Sequence, residues 1–241
     1  MKFEYFACSE KGSKRKKNED RVMVCNEVIS EGGRSGNKET DFLALVCDGV
    51  GGAPGGDIAA EMVAESFKDY SPSKMSPLKI SRHIHKMNRL VVTNQLQLEN
   101  CSKMATTVAG IVTYNDRFLA FNLGDTRVYK IDWEEITLLS RDHTLVYDNK
   151  SDFRDIDKDV ITGYIGGDGC SCHPSIRTGK MQEGDSFLIC SDGIYKTIND
   201  PLLKEIIRNN ETLEQKADTI LELSLEKGST DDMSMVLIKC Y

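Results

Sequence analysis

Apolar positions along this chain recur with two different periods, and the changes from one to the other mark out its elements. Short apolar runs bounded by glycine or polar residues predict buried strands: Leu43-Ala44-Leu45-Val46-Cys47, Phe187-Leu188-Ile189-Cys190 and Met235-Val236-Leu237-Ile238. Residues 2–8 and 21–29 also read as strands. Val108, Gly110, Val112 and Tyr114 alternate before a turn at Asn115-Asp116, a return over Phe118 to Leu123, and further strands at Val128–Ile131 and Ile136–Leu139. After Gly56 the spacing lengthens. Ile58, Ala59, Met62, Val63, Phe67 and Tyr70 fall three and four residues apart, which gives a helix one apolar face. A second helix is predicted from about 77 to 98, with Ile84, Met87, Val91 and Leu98 on its buried stripe. His83 and His85, two apart on that helix, face different directions and read as surface or boundary residues, not a joint ligand pair. Helices over 200–208 and 212–226 precede a closing strand over 232–240. The glycine-rich stretch 30–41 reads as a hairpin connection. Residues 141–180 read as polar, irregular chain, too long for a purely structural role. Strands and helices come in blocks, which favours an α+β layered fold over a doubly wound parallel sheet.

The strand ends carry the chemistry. Leu43–Cys47 runs into Asp48-Gly49, and Phe187–Cys190 runs through Ser191 into Asp192-Gly193. In mirror fashion, Asp20 precedes Val22-Met23-Val24, and Asp231-Asp232 precede the last strand. If these strands are antiparallel neighbours, all four carboxylates reach one rim of a sheet, because ends and starts alternate along that edge. Any single Asp-Gly is ordinary turn chemistry. Four sites equivalent in position are hard to assign to turns alone. Carboxylates crowded at one rim repel one another unless a cation neutralises them, and oxygen-only ligands suit Mg²⁺ or Mn²⁺. The residues themselves point to a two-metal hydrolase.

Composition narrows the alternatives. The 241 residues fit one domain, and no linker divides them. With 31 basic and 38 acidic residues the net charge is −7, which argues against a nucleic-acid partner. The one basic cluster, Lys11, Lys14, Arg15, Lys16 and Lys17, reads in isolation as a nucleic-acid or sorting patch, more often as a solvated turn, or as a part of the site, since Asn18-Glu19-Asp20 follow directly. The longest apolar stretches run about five residues, far short of the ~20 that span a bilayer, and the N-terminus lacks a signal peptide's apolar centre. Of eight cysteines, Cys47, Cys190 and Cys240 fall in or beside core strands as small apolar residues. Cys170-Ser171-Cys172 has no second pair to complete a zinc site. A reduced, cytoplasmic protein without a membrane partner is expected. Gly49–Gly56 completes neither G-x-G-x-x-G nor a P-loop, and no G-x-S-x-G is present. Glycine beside Asp48 fits close backbone approach to a metal or its waters.

At these residues the chain resembles the metal-dependent serine/threonine protein phosphatases of the protein phosphatase 2C type, particularly their compact bacterial members. Arg15-Lys16-Lys17-Asn18-Glu19-Asp20 is similar to R-x-x-N-[QE]-D, and Asp48-Gly49-Val50-Gly51-Gly52 to D-G-M-G-G. Ala105-Thr106, Gly124-Asp125-Thr126-Arg127 and Ser140-Arg141-Asp142-His143 resemble the central A-T, G-D-S-R and S-x-D-H motifs. Gly184-Asp185 through Ser191-Asp192-Gly193, and Gly228-Ser229-Thr230-Asp231-Asp232-Met233-Ser234, resemble the two that close the pattern. Each is short, but their order and spacing over nearly the whole chain make the set specific. Three departures stand out. Asp232 replaces the usual asparagine, Val50 a methionine or histidine, and Ile161-Thr162-Gly163-Tyr164-Ile165-Gly166 matches I-T-R-x-L-G only loosely.

The resemblance implies a four-layer α-β-β-α sandwich with two central antiparallel sheets, one catalytic domain over 1–241 and a flap over roughly 145–165. It implies that Asp48 bridges two Mn²⁺ or Mg²⁺ ions, with the Gly49 carbonyl on one, Asp192 and Asp231 completing the other, and Asp20 serving the second metal directly or through water. Asp125 corresponds to a third, weaker metal, and Arg15 to a clamp on the phosphoryl oxygens. The implied reaction is direct attack of metal-activated water on phosphoserine or phosphothreonine in phosphoproteins, the substrates of a serine/threonine kinase, by a monomer. A pseudophosphatase that only binds phosphoproteins would be expected to lack one of the aspartates, all of which are present. A hydrolase of small phosphoesters would share the same metal site.

Overall fold

Two six-stranded sheets, antiparallel throughout, lie face to face in a computed structural model of the chain, which describes residues 1–39, 41–51, 54–74, 76–98, 101, 103–145, 160–168 and 172–241. The first sheet runs in the order β10 (Ile136–Leu138), β9 (Arg127–Ile131), β13 (Ser186–Cys190), β14 (Met233–Cys240), β1 (Phe3–Glu10) and β4 (Gly32–Lys38). The second runs β12 (Ser175–Lys180), β8 (Arg117–Leu123), β7 (Val108–Tyr114), β5 (Phe42–Cys47), β2 (Arg21–Val24) and β3 (Glu27–Ile29). A short pair, β6 (Ala105–Thr106) with β11 (Ile165–Gly166), stands beside them. Besides a 3-10 turn at Pro72–Lys74, five α-helices are described: α1 (Gly56–Ser66), α2 (Pro77–Gln95), α3 (Asp192–Tyr195), α4 (Asp200–Arg208) and α5 (Leu213–Glu226).

The apolar runs are continuous because each central strand is buried on both faces. Along β5, Phe42, Ala44 and Val46 point into the space between the sheets, where they meet Val236 and Ile238 of β14. Leu43, Leu45 and Cys47 point the other way, against Ala60 and Val63 of α1 and Ile84 of α2. Met235 and Leu237 of β14 pack outward on Leu203 of α4 and Ile220 of α5. Three apolar layers therefore separate helices, sheet, sheet and helices. The expected four-layer α-β-β-α sandwich is the fold.

Several boundaries differ from the sequence expectation, each for a local reason. The stretch 30–41 holds a strand, β4, paired along its length with β1, not a hairpin connection. Its glycines hid it: Gly33 and Gly36 leave room for the rings of Phe6 and Tyr5, so an edge strand without apolar side chains is covered by its neighbour's aromatics. The run 21–29 is broken into β2 and β3 by Cys25 and Asn26, whose φ values of 48° and 70° make the left-handed two-residue turn of a tight hairpin. Within 141–180, β12 pairs with β8 and β11 with β6. The second helix stops at Gln95, and Leu98 is 41% exposed instead of buried. Of the expected flap, residues 146–159 lie outside the described residues, as do Cys170 and Ser171. At its ends, Thr144 bridges to Ile161, and the Leu145 N–H bonds the Val160 carbonyl at 3.0 Å.

His83 is buried, not a boundary residue. Its ring lies between α1 and α2, with Nε2 2.8 Å from Ser66 Oγ and Nδ1 2.6 Å from the Tyr70 hydroxyl. Among the described residues, no helix is long and apolar enough to cross a membrane.

Candidate active site

Strand register brings the aspartates to one end of the sandwich. In the second sheet Arg21 pairs with Cys47, so Asp20, one residue before, and Asp48, one residue after, leave the same end. In the first sheet Cys190 pairs with Met235 and the Ser191 N–H bonds the Ser234 carbonyl at 3.0 Å. Asp192 thereby emerges beside Asp231 and Asp232. Asp125 follows Gly124, whose φ of 110° turns the chain from β8 towards β9. Burial pushes the Asp48 carboxyl well above the usual carboxylate range, and the fields of Asp20, Asp192, Asp125 and Asp231 push it further. All five carboxylates are thus electrostatic neighbours, drawn from both sheets.

Asp20 is the most enclosed of the five. It is 1% exposed, and its Oδ2 has no hydrogen-bond partner. Burial raises it to about 8, the Ser234 and Ser191 hydroxyls oppose the rise, and the Asp232 and Asp192 charges add to it. Burial likewise raises Asp125 to about 6, with Asp192 adding and Lys196 opposing.

The backbone around Asp48 is held from across the small pair. Its carbonyl accepts the Thr107 N–H at 2.8 Å and the Thr106 hydroxyl at 2.9 Å, and its N–H donates to Thr107 Oγ1 at 3.2 Å. Gly49 bridges to Thr106 through the Thr107-to-Asp48 bond and a Val50 N–H to Ala105 carbonyl bond of 2.9 Å. The Gly49 carbonyl stays outside that bridge, as in a non-hydrogen-bonded pair. A Cβ at Gly49 would come within 2.7 Å of the Glu19 carbonyl oxygen, and one at Gly193 within 2.2 Å of the Asp232 carbonyl oxygen. Both glycines after the strand-end aspartates are there for close packing of backbone on backbone.

Two cations engage the rim. Arg15 grips Asp231 with two nitrogens, Nε to Oδ1 at 2.7 Å and Nη2 to Oδ2 at 2.6 Å. Its other nitrogen, Nη1, lies over Gly51, where a Cβ would come within 2.7 Å of it. Lys196 donates to Asp192 Oδ2 at 2.7 Å from one helical turn away. Asp232, the departure from the family pattern, turns its carboxylate to the backbone. Oδ1 accepts the Gly12 N–H and Oδ2 the Glu19 N–H, each at 2.8 Å. Asp125 Oδ2 accepts from the Tyr195 hydroxyl at 3.2 Å, and the Arg127 guanidinium stacks 3.8 Å from the Tyr195 ring centre. Arg127 in turn holds Asp142, Nη2 to Oδ2 at 2.7 Å, and donates to the Tyr129 hydroxyl at 2.9 Å.

Sequence reasoning missed Tyr195 and Lys196. The Asp192 to Lys196 spacing of four is the ion-pair signal of a helix, but a four-residue helix leaves no apolar periodicity to announce it. It missed as well that Thr107 serves Asp48.

The donor set suits a hard divalent cation: carboxylates only, one of them with a buried, unpartnered oxygen. Among the described residues no three of these groups stand as a ready cage around one point. Asp231 and Asp192 are turned to Arg15 and Lys196 instead. Ion binding would require those two carboxylates to share or leave their cationic partners.

Comparisons with known proteins agree with the fold. The family model described as protein phosphatase 2C matches residues 32–237. The serine/threonine phosphatase stp of Listeria monocytogenes is 24% identical over 235 residues, covering 91% of this chain and 93% of that protein. The structure of the S. agalactiae serine/threonine phosphatase superposes with a TM-score of 0.83 at 21% identity, over 99% of this chain and 100% of that one. The Mycobacterium tuberculosis serine/threonine phosphatase PstP/Ppp gives a TM-score of 0.81 at 23% identity, over 100% and 99%.

Proposed function

The chain belongs to the protein phosphatase 2C family, and on that premise we propose that it is a metal-dependent protein serine/threonine phosphatase acting on phosphoserine and phosphothreonine in phosphoproteins. The observation that carries the reading is the rim of five mutually repelling carboxylates gathered from both sheets. Asp48, Asp20, Asp192, Asp231 and the Gly49 carbonyl would hold two Mn²⁺ or Mg²⁺ ions, and Asp125 a third. When bound, such ions neutralise charge on the phosphoryl group and activate a water for in-line attack.

The chain's own groups supply the rest. Arg15 uses two of the five N–H groups of a guanidinium on Asp231, which leaves three, including both on Nη1 beside Gly51, for phosphoryl oxygens. Asp231 thus orients the clamp, and Gly51 keeps space open before it. Asp232 fixes the loop that carries Arg15 by tying Gly12 and Glu19 to the start of β14. The net charge of −7 disfavours nucleic acid as a partner. Residues 1–241 would act as one catalytic unit, a cytoplasmic monomer opposing a serine/threonine kinase.

Phosphate release from phosphoserine and phosphothreonine peptides, measured with Mn²⁺, with Mg²⁺ and with excess chelator, tests the reading. Hydrolysis with either ion and none in chelator is expected. Activity confined to small phosphoesters would reassign the substrate, and full activity in chelator would remove the metal centre from the account.

A further inference from the structure

The loop between β1 and β2 holds the chain's basic cluster, and three of its five cations have fixed partners. Lys11 Nζ donates to the Arg15 carbonyl at 3.0 Å and closes the turn. Arg15 holds Asp231, and Lys17 pairs with Asp57 at 2.5 Å. Lys14 and Lys16, on either side of Arg15, are exposed, and among the described residues their ammonium groups have no partner. The backbone beneath them is pinned. The Gly12 and Glu19 N–H groups bond the two oxygens of Asp232, and the Lys14 N–H reaches the Thr230 carbonyl at 3.4 Å. The Gly12 Cα packs so closely on Asp231 that an added Cβ would lie 2.4 Å from its carbonyl carbon.

Two uncommitted positive charges therefore stand on a fixed loop beside the residue that would grip the phosphoryl group. The surroundings make them matter. The rim is built of carboxylates and the whole chain carries −7, so away from these lysines the site itself repels an acidic peptide. A peptide whose phosphate lies at Arg15 places its neighbouring residues within about 3.3–3.6 Å per residue of that point, inside reach of two flexible lysine stems.

We propose that Lys14 and Lys16 select phosphopeptides with acidic residues next to the phosphorylated serine or threonine. The inference rests on the phosphatase reading and names its substrate class. Attraction of this kind acts on encounter and orientation, and it is screened by salt.

The test uses two phosphothreonine peptides identical except that aspartates flank the phosphothreonine in one and asparagines in the other. kcat/KM is measured for each with Mn²⁺ at low and raised NaCl. For the wild type, a preference of about fivefold for the aspartate peptide at low salt is expected, from two exposed ion pairs, and it should shrink as salt rises. Lys14→Gln with Lys16→Gln should bring the ratio close to one, and Lys14→Glu with Lys16→Glu should invert it. A ratio unchanged in both double variants, or a wild type that favours the asparagine peptide, overturns the inference. A wild type that hydrolyses neither peptide overturns the phosphatase reading on which it stands.

Discussion

Both oxygens of Asp232 accept backbone N–H groups, so one side chain closes the Arg15 loop onto the start of β14. An asparagine at this place offers one acceptor oxygen and sets an NH₂ against the other N–H. Asp232→Asn should therefore cost stability, about 1–3 kcal/mol for a charge-assisted bond at a buried site, and shift the Mn²⁺ activation midpoint little. A thermal melt beside a Mn²⁺ titration of activity checks this, and an unchanged melt with a shifted midpoint would mean that the carboxylate serves the ions after all. Arg15 makes the opposite prediction. Arg15→Ala should raise KM and lower kcat/KM while Mn²⁺ affinity is retained or raised, because the side chain that is lost competes for Asp231 instead of ligating a metal. Wild-type kinetics on phosphopeptides would return the run 11–17 to a solvated turn. The aspartates were legible because each abuts an apolar run whose end is visible in sequence. Their partners were not, since the contact of Arg15 with Asp231 spans 216 positions and exists only once β1 and β14 are paired.

Elements show the same division. Strands β5, β13 and β14 announce themselves because burial on both faces leaves no room for polar residues. Strand β4 gives no such signal, since its contribution is a hydrogen-bonded edge laid on the aromatic rings of β1. The α1–α2 layer depends on a residue that the helical pattern leaves ambiguous. His83 sits edge-on to the Phe67 ring, 4.5 Å between centroids, and burial lowers it to about 4. A histidine held neutral in the fold contributes stability that is present above its unfolded pKa of about 6.5 and lost as pH falls towards the folded value. Wild-type melting temperature should therefore fall between pH 6.5 and 4 more steeply than that of His83→Gln, by up to ~3 kcal/mol of differential stability. Parallel profiles for the two proteins would remove His83 as the cause.

At the scale of the whole molecule, each sheet contributes half of the site. Asp20 and Asp48 come from the β2–β5 pair, Asp192 and Asp231 from β13 and β14, and the apolar layer between the sheets fixes their separation. The layered fold was readable from the order of apolar runs and helical periods. The meeting of the aspartates was readable only as a condition, that all their strands be antiparallel neighbours along one sheet rim. The structure meets it only in pairs, β2 with β5 in one sheet and β13 with β14 in the other, with the stacking of the two sheets bringing the pairs together. Gathering so many carboxylates under partial burial is unfavourable by itself, and bound cations would relieve the repulsion. Calorimetric titration of Mn²⁺ into chelator-stripped protein, wild type against Asp48→Asn, tests that claim most directly. The account predicts at least two ions per wild-type chain and the loss of tight binding in the variant, both folded by circular dichroism. Equal stoichiometry and affinity in the two proteins, or no Mn²⁺ bound by the wild type, would contradict it.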